Sequence, residues 1–104
     1  LYFQENSKNF LSSYHLFIIK VKNKKNHKIL FNYLRKNKIF VNLHYLPIHL
    51  HPFYRSLGFK KNDYPNSENY SLSALSIPIY PHLKLKDQNK VIKLISNFFK
   101  KYEK

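Results

Sequence analysis

The sequence predicts a small domain of the α/β (α+β) class, in which two or three helices pack on an antiparallel or mixed three-stranded sheet. Strand-like and helix-like segments alternate along the 104 residues, in the order β-α-β-loop-α-β-α. The apolar fraction of 43% is ordinary for a packed protein, and nine Tyr and nine Phe supply bulky side chains for burial. A chain of this length is enough for one domain with one modest core.

The first strand and the first helix follow each other closely. Ser12–Lys22 is rich in β-branched and aromatic residues and alternates toward its end, which is typical of a half-buried strand. A turn over Lys22–Asn26 follows, and Asn26 is predicted to cap a helix that runs to about Asn37. That helix carries one apolar stripe, formed by Ile29, Leu30, Tyr33 and Leu34.

The middle of the chain is predicted to be a strand that leads into a stiff loop. Ile39–Tyr45 reads as the second strand because it contains strong β-formers. Pro47 and Pro52 bracket the next residues, so this stretch is neither a continuous helix nor a central strand. A short helical turn over Pro52–Leu57, stopped by Gly58, is expected to follow.

The last third is predicted to contain two helices and an extended link. Pro65 has the position of a first helical residue, in a helix expected to end near Ala74 or Leu75. The prolines of Ile77–Pro81 indicate an edge strand or a β-like connection. Asp87–Tyr102 has the clearest amphipathic pattern in the chain. Its apolar stripe consists of Val91, Ile95, Phe98 and Tyr102.

Composition excludes several classes of site. The chain has no Cys, which excludes disulfides, zinc–thiolate sites and thiol nucleophiles, and it has one glycine, which argues against a Gly-rich phosphate cradle. Its five acids are spread along the chain without a paired-carboxylate pattern, so independent catalysis is not expected. Since neither a signal peptide nor a membrane span is recognisable, we expect no membrane association and a cytoplasmic location.

The net charge of +14 raises the question of a polyanionic partner. The basic residues are scattered and only two are Arg, so a compositional bias explains the charge better than nucleic-acid binding does. A small basic nucleic-acid-binding domain, using the region around Phe53–Arg55 and Lys60–Lys61, remains the alternative, together with a simple interaction domain. A third explanation of the charge is an acidic partner domain that this piece lacks.

The densest polar constellation is formed by His44, Tyr45, His49 and His51. At a strand end, an imidazole and a phenol could donate hydrogen bonds to a phosphate or a sugar hydroxyl. The same residues could equally be edge residues that satisfy loop carbonyls. No metal site is predicted, because no acid lies between Glu5 and Asp63 and the histidine spacing fits no helical zinc motif.

Four stretches in register resemble one protein family. They are Ser13–Phe17, Ile39–Tyr54, Tyr64–Glu68 and Leu75–Pro81. Their order and spacing are similar to the C-terminal small domain of the DegT/DnrJ/EryC1/StrS aminotransferases, pyridoxal-phosphate enzymes that aminate nucleotide-linked keto sugars. Within that family the pattern is most similar to enzymes that aminate C4 of UDP-linked 4-keto-6-deoxy sugars, as in pseudaminic acid and related surface-glycan pathways.

The resemblance implies a division of labour between this chain and polypeptide it lacks. The implied parent enzyme is a fold-type-I homodimer that uses glutamate as amino donor. Its large domain holds the cofactor lysine and phosphate pocket, so no pyridoxal 5'-phosphate is expected on this chain alone. The resemblance also implies that His44, Tyr45 and His49 border the cleft and bind the nucleotide sugar, with Glu68 structural and no catalytic residue here.

The same resemblance suggests two segments. Residues 12–104 correspond to the small domain, and residues 1–11 are an N-terminal extension or linker. Leu1–Gln4 resembles the end of a common engineered protease site, but a native origin is equally open.

Overall fold

A four-stranded antiparallel sheet lies at the centre of the structure, a computed structural model that describes residues 1–5 and 7–102. In chain order the strands are β1 (Tyr2–Phe3), β2 (Phe17–Lys20), β3 (Asn42–Leu43) and β4 (Ala74–Ile77). Their spatial order is β1-β2-β4-β3, so the last strand lies between two earlier ones. The α/β class and the antiparallel sheet are therefore confirmed, with four strands among the described residues rather than three.

The position of β4 corrects the prediction for this part of the chain. Ala74 and Leu75 were expected at a helix end, but both are fully buried in a strand that pairs with β2 and β3. Pro78 and Pro81 come after the strand, so they interrupt no ladder hydrogen bond. Of the two alternatives predicted for Ile77–Pro81, the edge strand was wrong, because only Ile77 is part of a strand and that strand is central, while residues 78–81 form a connection after it.

The predicted strands are shorter in the structure, and the additional strand, β1, lies in the N-terminal extension predicted for residues 1–11. Tyr14 has a φ of 52°, in the left-handed region, so the strand predicted from Ser12 begins only at Phe17. Of the second predicted strand, only Asn42–Leu43 is a strand in the structure. At the sheet edge, Tyr2 and Phe3 pair with Lys20 and Ile19 of β2.

Four α-helices connect or cover the strands within the described residues, where two or three were predicted. They are α1 (Lys25–Lys36), α2 (Pro52–Ser56), α3 (Pro65–Ser71) and α4 (Leu85–Tyr102). Both Pro52 and Pro65 stand in the first turn of their helices, as predicted. The short helix before Gly58 is confirmed, and Gly58 has a φ of 100°, which a residue without Cβ adopts readily.

The start of α1 differs from the prediction. Asn26 lies inside the helix and is buried, while Lys24 occupies the N-cap position without a side-chain cap. The Oδ1 atom of Asn23 instead accepts the backbone N–H of Lys25 at 3.1 Å. Asn23 therefore satisfies a free donor of the first turn, in a position three residues earlier than expected.

The apolar core lies between the sheet and the two long helices. α1 contacts both α4 and β4. Leu30 and Leu34 of the predicted stripe are fully buried, but Ile29 is exposed. On α4 the predicted Val91, Ile95 and Phe98 are buried, and Tyr102 stacks on Phe98 with ring centroids 4.6 Å apart. The two long helices therefore support the sheet on the side of the core, and the rest of its surroundings are loops.

Asn6 of the predicted extension, and Glu103 and Lys104 of the predicted small domain, lie outside the described residues. Among the helices that are described, none combines the length and the apolar character needed to cross a membrane.

Candidate functional site

The end of β3 delivers the two residues that the sequence singled out first. Pairing of β3 with β4 stops at Leu43 opposite Leu75, and the loop begins at the next residue, His44. His44 is only 4% exposed, whereas Tyr45 is 69% exposed. The strand end therefore holds one side chain inside the protein and presents the next one to its surface.

The imidazole of His44 has an unsatisfied nitrogen. Its Nε2 atom is buried and has no hydrogen-bond partner in the protein, and its ring meets the ring of Tyr45 edge-on at 4.5 Å between centroids. Burial lowers the pKa of His44, because desolvation disfavours the charged imidazolium. A neutral ring with a buried free nitrogen is able to bond a ligand oxygen, and it is unfavourable without one.

His44 and Tyr45 line a concave surface of about 340 Å³, which we call the His44 hollow. The other lining residues come from β2, the loop and α3, and they are Leu16, Ile18, Leu46, Pro47, Ile48, Ser67 and Tyr70. Most of this lining is apolar, so the few polar groups in it set the orientation of anything bound.

The loop after Tyr45 is stiff for the reason that the sequence indicated. Ile48–Leu50 forms a 3₁₀ turn, in which the N–H of Leu50 donates to the carbonyl of Pro47 at 2.9 Å. Pro52 then starts α2. His51 is exposed, and its Nε2 donates to the carbonyl of Leu46 at 3.2 Å, so this histidine contributes to closing the loop.

His49 is anchored by a carboxylate from α3. Its Nε2 donates to Oε1 of Glu68 at 2.9 Å, and the backbone N–H of Asn62 donates to the same oxygen at 2.7 Å. Both side chains are buried. The hydrogen bond from His49, with smaller contributions from Asn62 and from the charges of His49 and Lys61, outweighs burial and lowers the pKa of Glu68. Glu68, interpreted from the sequence as structural, thus joins three segments of the chain.

A second concave surface of about 320 Å³ adjoins the first. It is lined by Ile48, His49, Tyr54, Phe59, Tyr64 and Ser67, and we call it the aromatic hollow. Ile48 and Ser67 also line the His44 hollow, so the two hollows are neighbours. Phe59 and Tyr64 were not identified from the sequence, although repeated aromatic residues in an otherwise polar stretch were an available signal.

The predicted site residues are therefore divided between neighbouring hollows. His44 and Tyr45 lie together in one, and His49 lines the other. His51 lines neither. In the part of the chain that the structure describes, no group of three or more His, Asp or Glu residues is arranged to hold a metal ion.

A pyridoxal-phosphate site requires a lysine for the cofactor and a cradle for its phosphate. Such a site needs a lysine held against the cofactor, but every lysine among residues 1–5 and 7–102 is exposed. The only glycine, Gly58, lies in a turn with open space around its Cα.

Comparison with known proteins identifies the relatives of this chain. A sequence model of the DegT/DnrJ/EryC1/StrS aminotransferase family matches residues 1–96. The spore coat polysaccharide biosynthesis protein SpsC of Bacillus subtilis is 30% identical over 93 residues, which cover 85% of this chain and 24% of SpsC. The erythromycin biosynthesis sensory transduction protein EryC1 of Saccharopolyspora erythraea is 33% identical over 82 residues, which cover 78% of this chain and 22% of EryC1.

Solved structures share the fold. The putative sugar aminotransferase Spr1654 of Streptococcus pneumoniae, known in apo, PMP and PLP forms, superposes with a TM-score of 0.79 at 26% identity, over 86% of this chain and 23% of that one. PseC of Helicobacter pylori, an aminotransferase of pseudaminic acid biosynthesis, gives a TM-score of 0.76 at 22% identity, over 85% of this chain and 24% of that one, and shows the fold alone. The chain spans about a quarter of the length of SpsC. On the match over residues 1–96 and on these relatives, the chain belongs to the DegT/DnrJ/EryC1/StrS aminotransferase family.

Proposed function

We propose that this chain is the C-terminal small domain of a PLP-dependent aminotransferase that aminates a nucleotide-linked keto sugar. In this proposal it forms part of the substrate cleft and is inactive without the large domain. Family membership and the sugar and polysaccharide roles in the names of its relatives support the chemistry. The absence of a fitting lysine among the described residues supports the assignment of the cofactor to the large domain.

The observation that carries the proposal is the unsatisfied Nε2 of His44. Nearly all buried polar atoms in folded proteins have a partner, so a free one beside a hollow suggests a ligand atom as its partner. Because the pKa of His44 is lowered, its ring is neutral at neutral pH. A neutral imidazole suits a sugar hydroxyl or carbonyl oxygen better than it suits a phosphate, the other group that the sequence suggested as a partner.

The proposed roles of the site residues follow from their exposure. His44 fixes one sugar oxygen, and the exposed Tyr45 ring covers the sugar while its hydroxyl bonds a second polar group. His49, held by Glu68, stiffens the loop that carries both. When the large domain brings bound PLP to the cleft, the cofactor supplies the amino-group transfer, and these residues orient the sugar toward it.

The finer parts of the proposal rest on the sequence resemblance. The substrate is a UDP-linked 4-keto-6-deoxy sugar for surface-glycan biosynthesis, glutamate is the amino donor, and the parent enzyme is a homodimer. A cytoplasmic location is part of the same proposal.

The proposal is tested by titrating the chain with a UDP-linked 4-keto-6-deoxy sugar in a calorimeter. Saturable binding is expected, with an affinity about tenfold lower in His44→Ala, since one hydrogen bond in a desolvated site is lost. Lys100→Ala, which removes an exposed charge from α4, is the control and should leave the affinity unchanged.

Two results would contradict the proposal. Binding to DNA or RNA that weakens steeply with added salt, without UDP-sugar binding, would favour the basic nucleic-acid-binding alternative. Binding of neither ligand would favour an interaction domain.

A further inference from the structure

The aromatic hollow has no role in the proposed function so far, although it adjoins the proposed sugar contact. We propose that Tyr54, Phe59 and Tyr64 bind the base of the nucleotide, while His44 and Tyr45 bind the sugar. This inference rests on the proposed function, because it concerns the other half of the same substrate.

The rings of the hollow are arranged around an open surface. The Tyr54 and Phe59 centroids lie 6.3 Å apart, those of Phe59 and Tyr64 lie 6.2 Å apart, and those of Tyr64 and His49 lie 4.9 Å apart. Tyr54 is 38% exposed and Tyr64 is 50% exposed. Rings that the protein leaves half uncovered around a cavity are able to stack on a flat base.

The size of the hollow also fits a small planar ligand. Its volume of about 320 Å³ lies at the lower end of the range of roughly 300–1,000 Å³ that ligand pockets occupy. Its walls are almost entirely apolar or aromatic, with His49 and Ser67 as the polar members. This composition is suited to a base and ribose, and the larger sugar and diphosphate would extend beyond it.

Charge around the hollow favours an anionic ligand over a cationic one. Arg55 follows Tyr54, and Lys60 follows Phe59. Lys61 lies close enough to Glu68 to help lower the pKa of that carboxyl. Lys61, whose charge acts on Glu68 at this hollow, would repel an ammonium group and attract the diphosphate attached to a stacked base.

His49 is held in place at the aromatic hollow, and the His44 hollow adjoins it. The buried bond between His49 and Glu68 holds the imidazole that packs on Tyr64. Ile48 and Ser67 border both hollows, so a ligand that fills the aromatic hollow lies next to the His44 hollow. A nucleotide sugar likewise has two parts, a nucleotide for the aromatic hollow and a sugar for the His44 hollow.

The test uses UDP as the probe, titrated into the chain by calorimetry, with inorganic pyrophosphate as competitor. UDP is expected to bind, and Tyr54→Ala and Phe59→Ala should each weaken it by about tenfold or more through lost stacking. Tyr54→Phe keeps the ring and should stay within about twofold of the parent chain. Tyr80→Ala removes an aromatic ring that is 53% exposed and lies outside the hollow, and it should have no effect.

Several outcomes would overturn the inference. They are the absence of UDP binding, competition by pyrophosphate at the same affinity as UDP, and ring variants that fold by circular dichroism but bind UDP normally. Failure of the proposed function gives a different result: UDP binding that depends on Tyr54 and Phe59, with no gain from the keto sugar and no effect of His44→Ala. If Phe59→Ala fails to fold, the contrast between Tyr54→Ala and Tyr54→Phe still decides.

Discussion

The helix-packed face of the sheet and the loop region over residues 44–71 differ in the kind of side chain that they bury. On the helix-packed face most buried side chains are apolar, and Leu30, Leu34 and Leu75 are fully inaccessible to solvent, although Asn26 and His27 of α1 are buried as well. In the loop region three of the four buried residues are polar, namely His44, His49 and Glu68, with Pro47 as the apolar one, while most aromatic rings are exposed. The first region concentrates apolar burial, and the second leaves apolar surface open around fixed polar groups.

This difference indicates which part of the molecule provides its folding stability and which part is available for binding. Burial of apolar area dominates the free energy of folding, so the helix-packed face should determine the stability of the chain. Exposed rings beside a polar anchor contribute little to folding, but they provide area and orientation to a ligand. The two regions should therefore respond differently to substitution.

The largest effect is expected from Phe98→Ala in the core. Phe98 is 1% exposed and contacts the rings of Tyr33, Phe99 and Tyr102. Its removal leaves a cavity, and the free energy of unfolding should fall by about 3–5 kcal/mol, measured by urea denaturation. For so small a domain, this loss is a large part of the total stability.

Ile92→Ala on the same helix is the matched control for Phe98→Ala. Ile92 is 53% exposed, so its truncation should lower the free energy of unfolding by less than about 1 kcal/mol. Equal losses for the two variants would show that stability does not reside in the helix-packed face.

The core could be predicted from the sequence more fully than the loop region could, for a physical reason. The stripe of α4 repeats with the helical period, so burial of Val91, Ile95 and Phe98 could be predicted from spacing alone. The place of β4 depends on pairing with two distant strands, which no local pattern encodes.

The candidate site was predictable only in part. His44 and Tyr45 stood out as polar residues at a strand end, and they do line one hollow. The bond between His49 and Glu68 joins residues 19 positions apart, and so it could not be read from the sequence. The aromatic hollow likewise depends on how the loop folds back on itself.

A smaller effect with a defined pH dependence is expected at Glu68. Because its pKa is lowered in the folded chain, the ionised carboxylate stabilises the fold above its unfolded pKa, and this contribution is lost as pH falls through the folded pKa. Glu68→Gln should remove this dependence, so the parent chain should lose more stability than the variant between about pH 7 and about pH 3. Urea denaturation at each pH measures the difference.

Asp63→Asn is the control for Glu68→Gln in the same loop. Asp63 is an exposed carboxylate, so Asp63→Asn tests whether the loss of any carboxylate from this loop changes the acid dependence as Glu68→Gln does. If Glu68→Gln and the parent chain lost stability in parallel as pH falls, the anchoring role of Glu68 would be wrong.

The smallest effect on stability, and the sharpest separation of the two regions, is expected from His44→Leu. The substitution replaces a buried imidazole that has an unpaired Nε2 with an apolar side chain, so the free energy of unfolding should stay the same or rise by up to about 1 kcal/mol. The affinity that the keto sugar adds to that of UDP should be lost, while UDP itself should still bind in the aromatic hollow. A loss of stability above about 2 kcal/mol would mean that His44 serves the fold instead of a ligand. A residue whose replacement improves the fold and weakens binding of the sugar is expected where a protein keeps an unfavourable buried group for its function.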